Sequence, residues 1–269
     1  MKLTNLTIKD LLNENEKLTF LVGAGCSVDA PSCLPTGDQM KEPLIRYFCA
    51  KSEINTLLKL KDLKFEELLK IILNHADKEL KLVDYYGTCD KPNIQHFFFA
   101  EMIKKGHFVM TTNFDYLIEY ALLQSNVPRE DVISVITKED YEKYSNPSEL
   151  FKQGKKVVYK LHGAFKNIIT NEDTKKSLVD SIIGNKFLRI ISLMGYSKEE
   201  KVENEFKLSP YKRPLFDNIS NGRNTIVMGY SGKNDLDFVS SLRILKNHSN
   251  FIWINHINTQ SSDPLIHKF

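Results

Sequence analysis

What most constrains this chain is a set of short, almost uninterrupted apolar runs, each followed at once by a polar or glycine-rich cluster. Five stand out, at residues 18–22, 108–111, 157–161, 225–228 and 251–254, with a weaker sixth at 132–136. They are rich in β-branched and aromatic residues. Continuous rather than alternating hydrophobicity marks strands covered on both faces. Between them the spacing turns helical. Leu68, Leu69, Ile72 and Leu73 share one stripe, as do Leu117, Ala121 and Leu122, and then Phe238, Leu242 and Leu245. Strands alternating with helices predict an α/β fold with a parallel sheet built from crossover units. Residues 40–100 read as a mainly helical inserted subdomain, and residues 166–215 as an irregular insertion, within one domain spanning 1–269.

The clusters after the strands carry the functional signal. Gly23-Ala24-Gly25-Cys26-Ser27 follows the first, Thr112-Asn113-Phe114-Asp115 the second and His162-Gly163 the third. Gly229-Tyr230-Ser231-Gly232 follows the fourth, and Asn255-His256 the fifth. Ligands of open parallel sheets sit outside the carboxyl ends of the strands. Five such clusters on neighbouring strands would converge on one crevice, as in a Rossmann-like sheet flanked by helices. Gly23 and Gly25 would let the backbone approach a pyrophosphate, with the amides and dipole of a following helix behind it. The usual dinucleotide fingerprint is incomplete, because its third glycine would fall at Val28. A Gly-Lys-Ser/Thr phosphate loop is absent.

Bulk properties exclude several other classes. The formal charge of +3 and the mixing of Lys with Glu and Asp give no basic stripe for nucleic acid. Lys9, Asp10, Asn13 and Glu14 interrupt the N-terminal region, and no apolar run approaches a membrane span, so the expectation is a cytoplasmic protein without membrane contact. Cys26, Cys33, Cys49 and Cys89 form no Cys-x-x-Cys pair, which argues against a zinc ribbon. No metal is expected.

The strand-end motifs together resemble the sirtuins. Gly23-Ala24-Gly25-Cys26-Ser27 with Leu34-Pro35 is similar to the family's Gly-Ala-Gly-x-Ser…Ile-Pro loop. Thr111-Thr112-Asn113-Phe114-Asp115 resembles Thr-Gln-Asn-x-Asp, and Lys160-Leu161-His162-Gly163 resembles the catalytic Leu-His-Gly. Gly229-Tyr230-Ser231 matches the Gly-x-Ser loop, and Ile254-Asn255 the Ile-Asn strand end. The departures are informative. Residues 164–228 hold no cysteine, where deacetylating sirtuins carry a four-cysteine zinc module, and Thr36-Gly37-Asp38 stands where they have Asp-Phe-Arg. The loop with Asp235 and Asp237 is more similar to the sirtuin-like domains of bacterial anti-phage systems, which are linked to NAD destruction.

The resemblance implies an NAD+ glycohydrolase with Asn113 and His162 at the reacting centre. It places Gly23, Ala24, Gly25, Ser27, Asp115, Gly229, Ser231 and Asn255 around NAD+. It also implies a homo-oligomer or a larger defence complex with a sensor or regulatory module. The residue chemistry suits this. Asn113 can donate and accept hydrogen bonds at once, and His162 titrates near neutrality and can take a proton. Asp235 and Asp237 are expected to cap a helix rather than touch a diphosphate. His75, His96, His107, His248 and His267 read as structural or surface groups, while His256 is ambiguous. Cys26 reads as small-residue packing, with a redox-sensitive thiol as the alternative. Phe97-Phe98-Phe99 reads as core, with a partner-binding face as its alternative. Two other functions compete: an NAD-dependent protein deacylase, and a module that senses NAD or ADP-ribose without turnover.

Overall fold

The first strand, β1 (Leu18–Val22), is buried along its whole length, because it lies mid-sheet with helices on both faces. The computed structural model describes residues 17–60, 63–79, 81–183, 208–232, 241, 250–254 and 267–268. Strands β2 (Phe108–Thr111), β3 (Val132–Val135), β4 (Lys156–Lys160), β5 (Asn224–Met228), β6 (Asn250–Ile254) and β7 (His267–Lys268) complete one sheet of order β3-β4-β2-β1-β5-β6-β7. Six strands are parallel, and β7 runs antiparallel to β6. All six apolar runs of the sequence are strands here. The two-residue β7 has no periodic signature and was not anticipated.

Between β1 and β2 the chain forms five helices. They are α1 (Gly37–Phe48), α2 (Lys51–Leu58), α3 (Phe65–His75), α4 (Lys81–Gly87) and α5 (Ile94–Lys104). After β2 come α6 (Leu117–Gln124), α7 (Lys138–Lys143), α8 (Pro147–Lys152), α9 (Lys175–Ile183) and α10 (Arg213–Ser220). The proposed helix through Phe238, Leu242 and Leu245 falls largely outside the described residues, as do Asp235 and Asp237.

Side-chain alternation along β1 divides the core. Leu18, Phe20 and Val22 face α5 and α6, meeting Phe99, Ile103, Ile118 and Leu122. Leu21 faces the other way, toward Phe216 and Ile219 of α10 and Tyr141 of α7. Burial of such side chains stabilises the fold by roughly 1.5–3 kcal/mol each. Phe99 is fully buried, with Phe97 and Phe98 packed against the same cluster, so the aromatic run is core. A third cluster unites the inserted helices. Leu68, Leu69, Ile72 and Leu73 of α3 pack with Leu44 of α1 and Val83 of α4, and with Leu117 and Leu178 from outside the insertion.

The local start signals are visible. Thr36 caps α1 through a reciprocal box with Gln39. Asn93 caps α5, accepting from the amides of Gln95 and His96. The loop Asn93 occupies is tied to β1's end, because its Nδ2 donates to the Cys26 carbonyl at 2.9 Å. The chain runs from β1 to β2 on one side and later reaches β5 on the other. That reversal opens a crevice outside the carboxyl ends of β1 and β5.

Candidate functional site

At that crevice lies a cavity of about 510 Å³, within the range of small-molecule sites. Ala24, Gly25 and Ser27 line it from the β1 end, Asn113 and Asp115 from the β2 end, His162 from the β4 end, and Gly229 and Ser231 from the β5 end. Eight of the ten residues proposed from the sequence therefore share one wall system. Gly23 does not line it, and Asn255 lies outside the described residues.

The β1 and β5 loops are locked together by their backbones. Gly23 donates to the Met228 carbonyl at 2.9 Å and Gly25 to that of Gly229 at 2.8 Å. A Cβ on Gly229 would lie 2.5 Å from the Cys26 amide nitrogen, and its φ of +64° is left-handed. Gly23 is likewise excluded from carrying a side chain by Gly229 and Tyr230, at 2.6 Å. This corrects the phosphate-cradle expectation in two ways. The amides of Gly23 and Gly25 already serve the neighbouring loop. The helix expected after them is only a 3-10 turn, Ala24–Ser27.

Beneath the cavity a polar network fixes Asn113. Asn113 is 7% exposed, and its Nδ2 donates to Ser27 Oγ at 3.2 Å. The Ser27 hydroxyl donates to Asp115 Oδ2 at 2.8 Å, while Asp115 Oδ1 accepts from the Leu117 amide at 3.1 Å and anchors the start of α6. His96 is fully buried. Its Nδ1 accepts from the Asn93 amide at 3.1 Å, so the proton sits on Nε2 and is donated to Ser27 Oγ at 3.2 Å. Burial holds His96 below the usual histidine range, with Asp115 opposing that shift. With Nδ2 committed to Ser27, Asn113 Oδ1 is a buried acceptor with no partner among the described residues. The same holds for the hydroxyl of Tyr86, another cavity residue. Each such orphan costs ~1–3 kcal/mol, which a ligand supplying the partner would recover.

A second buried network supports the loop from below. Lys160 Nζ donates to the Asp115 carbonyl and lies 3.7 Å from Glu119 Oε1, which accepts from Ser134 Oγ at 2.7 Å. The end of β4 is thereby fastened to the turn carrying Asn113 and Asp115. Cys26 is 1% exposed, and burial with Asp115 nearby pushes its thiol up to about 12. That is the opposite of a reactive thiolate, so the packing reading holds.

His162 is half-buried, with its ring 6.3 Å from that of Phe114. Its Nε2 lies 3.7 Å from Glu66 Oε1, on the first turn of α3. A smaller cavity of about 40 Å³ shares Glu66, Phe114 and His162 with the larger one and adds Lys70, Ser181, Ser209 and Lys212. Glu66, Tyr86 and Gln95 all reach the main cavity from the inserted helices. Sequence reasoning missed them. The apolar stripe of α3 is readable, but nothing in the pattern says which polar residue of that helix faces the strand ends.

Fold and crevice define an α/β protein with a ligand-sized cavity at the switch point of a parallel sheet. The family model of the SIR2-like domain matches residues 107–256, more than half of the 269 residues. The chain belongs to the SIR2-like domain family, and its function is NAD-related and sirtuin-like. The match runs from β2 through β6 and includes Asn113, His162, Gly229, Ser231 and Asn255; the β1 loop and all five inserted helices precede it. No curated protein matches the chain. Among the described residues, no helix is long and apolar enough to cross a membrane.

Proposed function

We propose that the chain is an NAD+ glycohydrolase, cleaving the bond between nicotinamide and ribose. The observation that carries this reading is Asn113. It is a buried amide at the carboxyl end of β2, anchored through Nδ2 and presenting, in the same cavity as His162, an Oδ1 with no partner among the described residues. An oriented acceptor of this kind suits a ribose hydroxyl or an attacking water.

Cleavage sends the electron pair of the C1′–N bond to the pyridinium nitrogen, so nicotinamide leaves neutral. No acid is required to protonate it, unlike in ordinary glycoside hydrolysis. Asn113 positions the ribose or the water that attacks C1′, and His162 accepts the proton released by that water. Ser231 and Gly229 line the phosphates, and Asn255 the adenosine ribose. Residues 164–228 supply no cysteine for a zinc module, which favours water over an acyl-lysine as acceptor. No metal enters the scheme.

The experiment is release of nicotinamide from NAD+ by wild type, Asn113→Ala and His162→Ala. Each variant should lose at least about a hundredfold in rate. Variants that match wild type would sink the proposal. As an NAD-depleting effector of anti-phage defence, the protein would be held inactive until it assembles with itself or with a sensor partner. Full activity in a dilute monomer would contradict that restraint.

A further inference from the structure

We infer that Glu66, carried by the inserted helices, is a positioning residue for His162: its carboxylate fixes the imidazole's orientation and stabilises the imidazolium formed when the ring accepts a proton. This rests on the reading of His162 as the proton acceptor in NAD+ cleavage.

Two adjacent acids open α3. Glu67 is committed to the helix itself, its Oε2 accepting from the Lys64 amide at 3.4 Å. Glu66, one position earlier, lines the cavity instead and places Oε1 3.7 Å from His162 Nε2, an ion-pair distance. The side chains of Glu66 and His162 are 23% and 19% exposed, so the pair is screened less than a surface pair. The first turn of a helix also favours an ionised carboxylate. The imidazole is bounded on another side by Phe114, with ring centroids 6.3 Å apart.

A carboxylate facing one ring nitrogen keeps the proton there and leaves the other nitrogen as the acceptor. Among the described residues, the remaining ionisable groups on the two cavities that meet at His162 are Asp38, Tyr86, Asp115 and Tyr230 on the larger, and Lys70 and Lys212 on the smaller. Lys212 is directed at the Leu161 carbonyl and stands over the Tyr141 and Tyr211 rings. Asp115 is bonded to Ser27 and Leu117. Glu66 is the carboxylate at ion-pair distance from the imidazole among the described residues. The insertion therefore completes the site rather than decorating the sheet.

The test compares wild type, Glu66→Gln, Glu66→Asp and the helix-cap control Glu67→Gln. It reads nicotinamide release as a function of pH and the NMR titration of the His162 imidazole. In Glu66→Gln, kcat should fall about tenfold or more with KM little changed. The His162 midpoint and the acidic limb of the rate profile should both move to lower pH, because the imidazolium loses its stabilising countercharge. Glu66→Asp should recover part of both, and Glu67→Gln neither lose rate nor shift the midpoint. A His162 midpoint and rate profile unchanged in Glu66→Gln would overturn the inference. If wild type releases no nicotinamide, the proposed function fails, while the NMR titration still decides whether Glu66 governs His162. Should Glu66→Gln not fold, the same titration on Glu66→Asp decides, with no midpoint change as the refuting result.

Discussion

Replacing Ser27 by alanine removes one hydroxyl and strands three partners. Ser27 is 2% exposed. It donates to Asp115 Oδ2 at 2.8 Å and accepts from Asn113 Nδ2 and His96 Nε2, each at 3.2 Å. A buried group left without its partner costs ~1–3 kcal/mol, with the charged carboxylate at the upper end. Ser27 also lines the cavity, so a water entering from that side would offset part of the sum. The expected net loss is about 3 kcal/mol. At this chain length 1 kcal/mol moves the midpoint by roughly 2–4 °C, so Tm should fall by about 6–12 °C. Thermal unfolding followed by circular dichroism reads it directly. Nicotinamide release should fall with it, because Asn113 loses the anchor that orients its amide. A Ser27→Ala protein that melts within about 2 °C of wild type and turns over normally would refute the network as the scaffold of Asn113.

Gly229→Ala should reduce stability by at least about 2 kcal/mol, from the left-handed backbone and the contact with the Cys26 amide; a denaturant melt equal to wild type would contradict the locked loops. At pH 8, a thiol-alkylating reagent should label exposed Cys33 and spare Cys26, whose thiol is pushed up to about 12; rapid labelling of folded Cys26 would refute its packing role. His96 has a folded-state affinity for protons depressed by burial. Above pH 6.5 both states are neutral there. As pH falls below 6.5 the unfolded chain binds the proton first, so stability present at neutral pH is lost. Melting temperature should therefore drop more steeply between pH 7 and pH 5 in wild type than in His96→Gln, and equal slopes would count against this linkage.

The strands were readable because a sheet covered on both faces needs apolar side chains at every position, as in Leu18–Val22. Asn113, His162, Gly25 and Ser231 were readable because chain direction in a parallel sheet sends strand ends to one side, where all four meet the cavity. What stayed hidden depends on packing between distant segments. Glu66 and Tyr86 belong to helices whose apolar stripes predict burial but not their direction relative to β4. His96 reads from the sequence as a structural or surface group, and the fold buries it fully. Its link to Asn113 through Ser27 spans residues far apart in sequence. Gly23-x-Gly25 suggests a helix start, yet Ala24–Ser27 forms a single 3-10 turn, with the Gly23 and Gly25 amides donated to the β5 loop, a packing between distant segments that the local pattern does not carry.

The central claim is cleavage of NAD+ with water as acceptor at Asn113 and His162. Its most direct test is a time course of nicotinamide and ADP-ribose produced from NAD+ alone, at protein concentrations spanning monomer to assembled particle. The account predicts equal amounts of both products, appearing without any acyl-peptide and lost in Asn113→Ala and His162→Ala. Unchanged NAD+ at every concentration, or product formed only when an acyl-peptide is added, would contradict it.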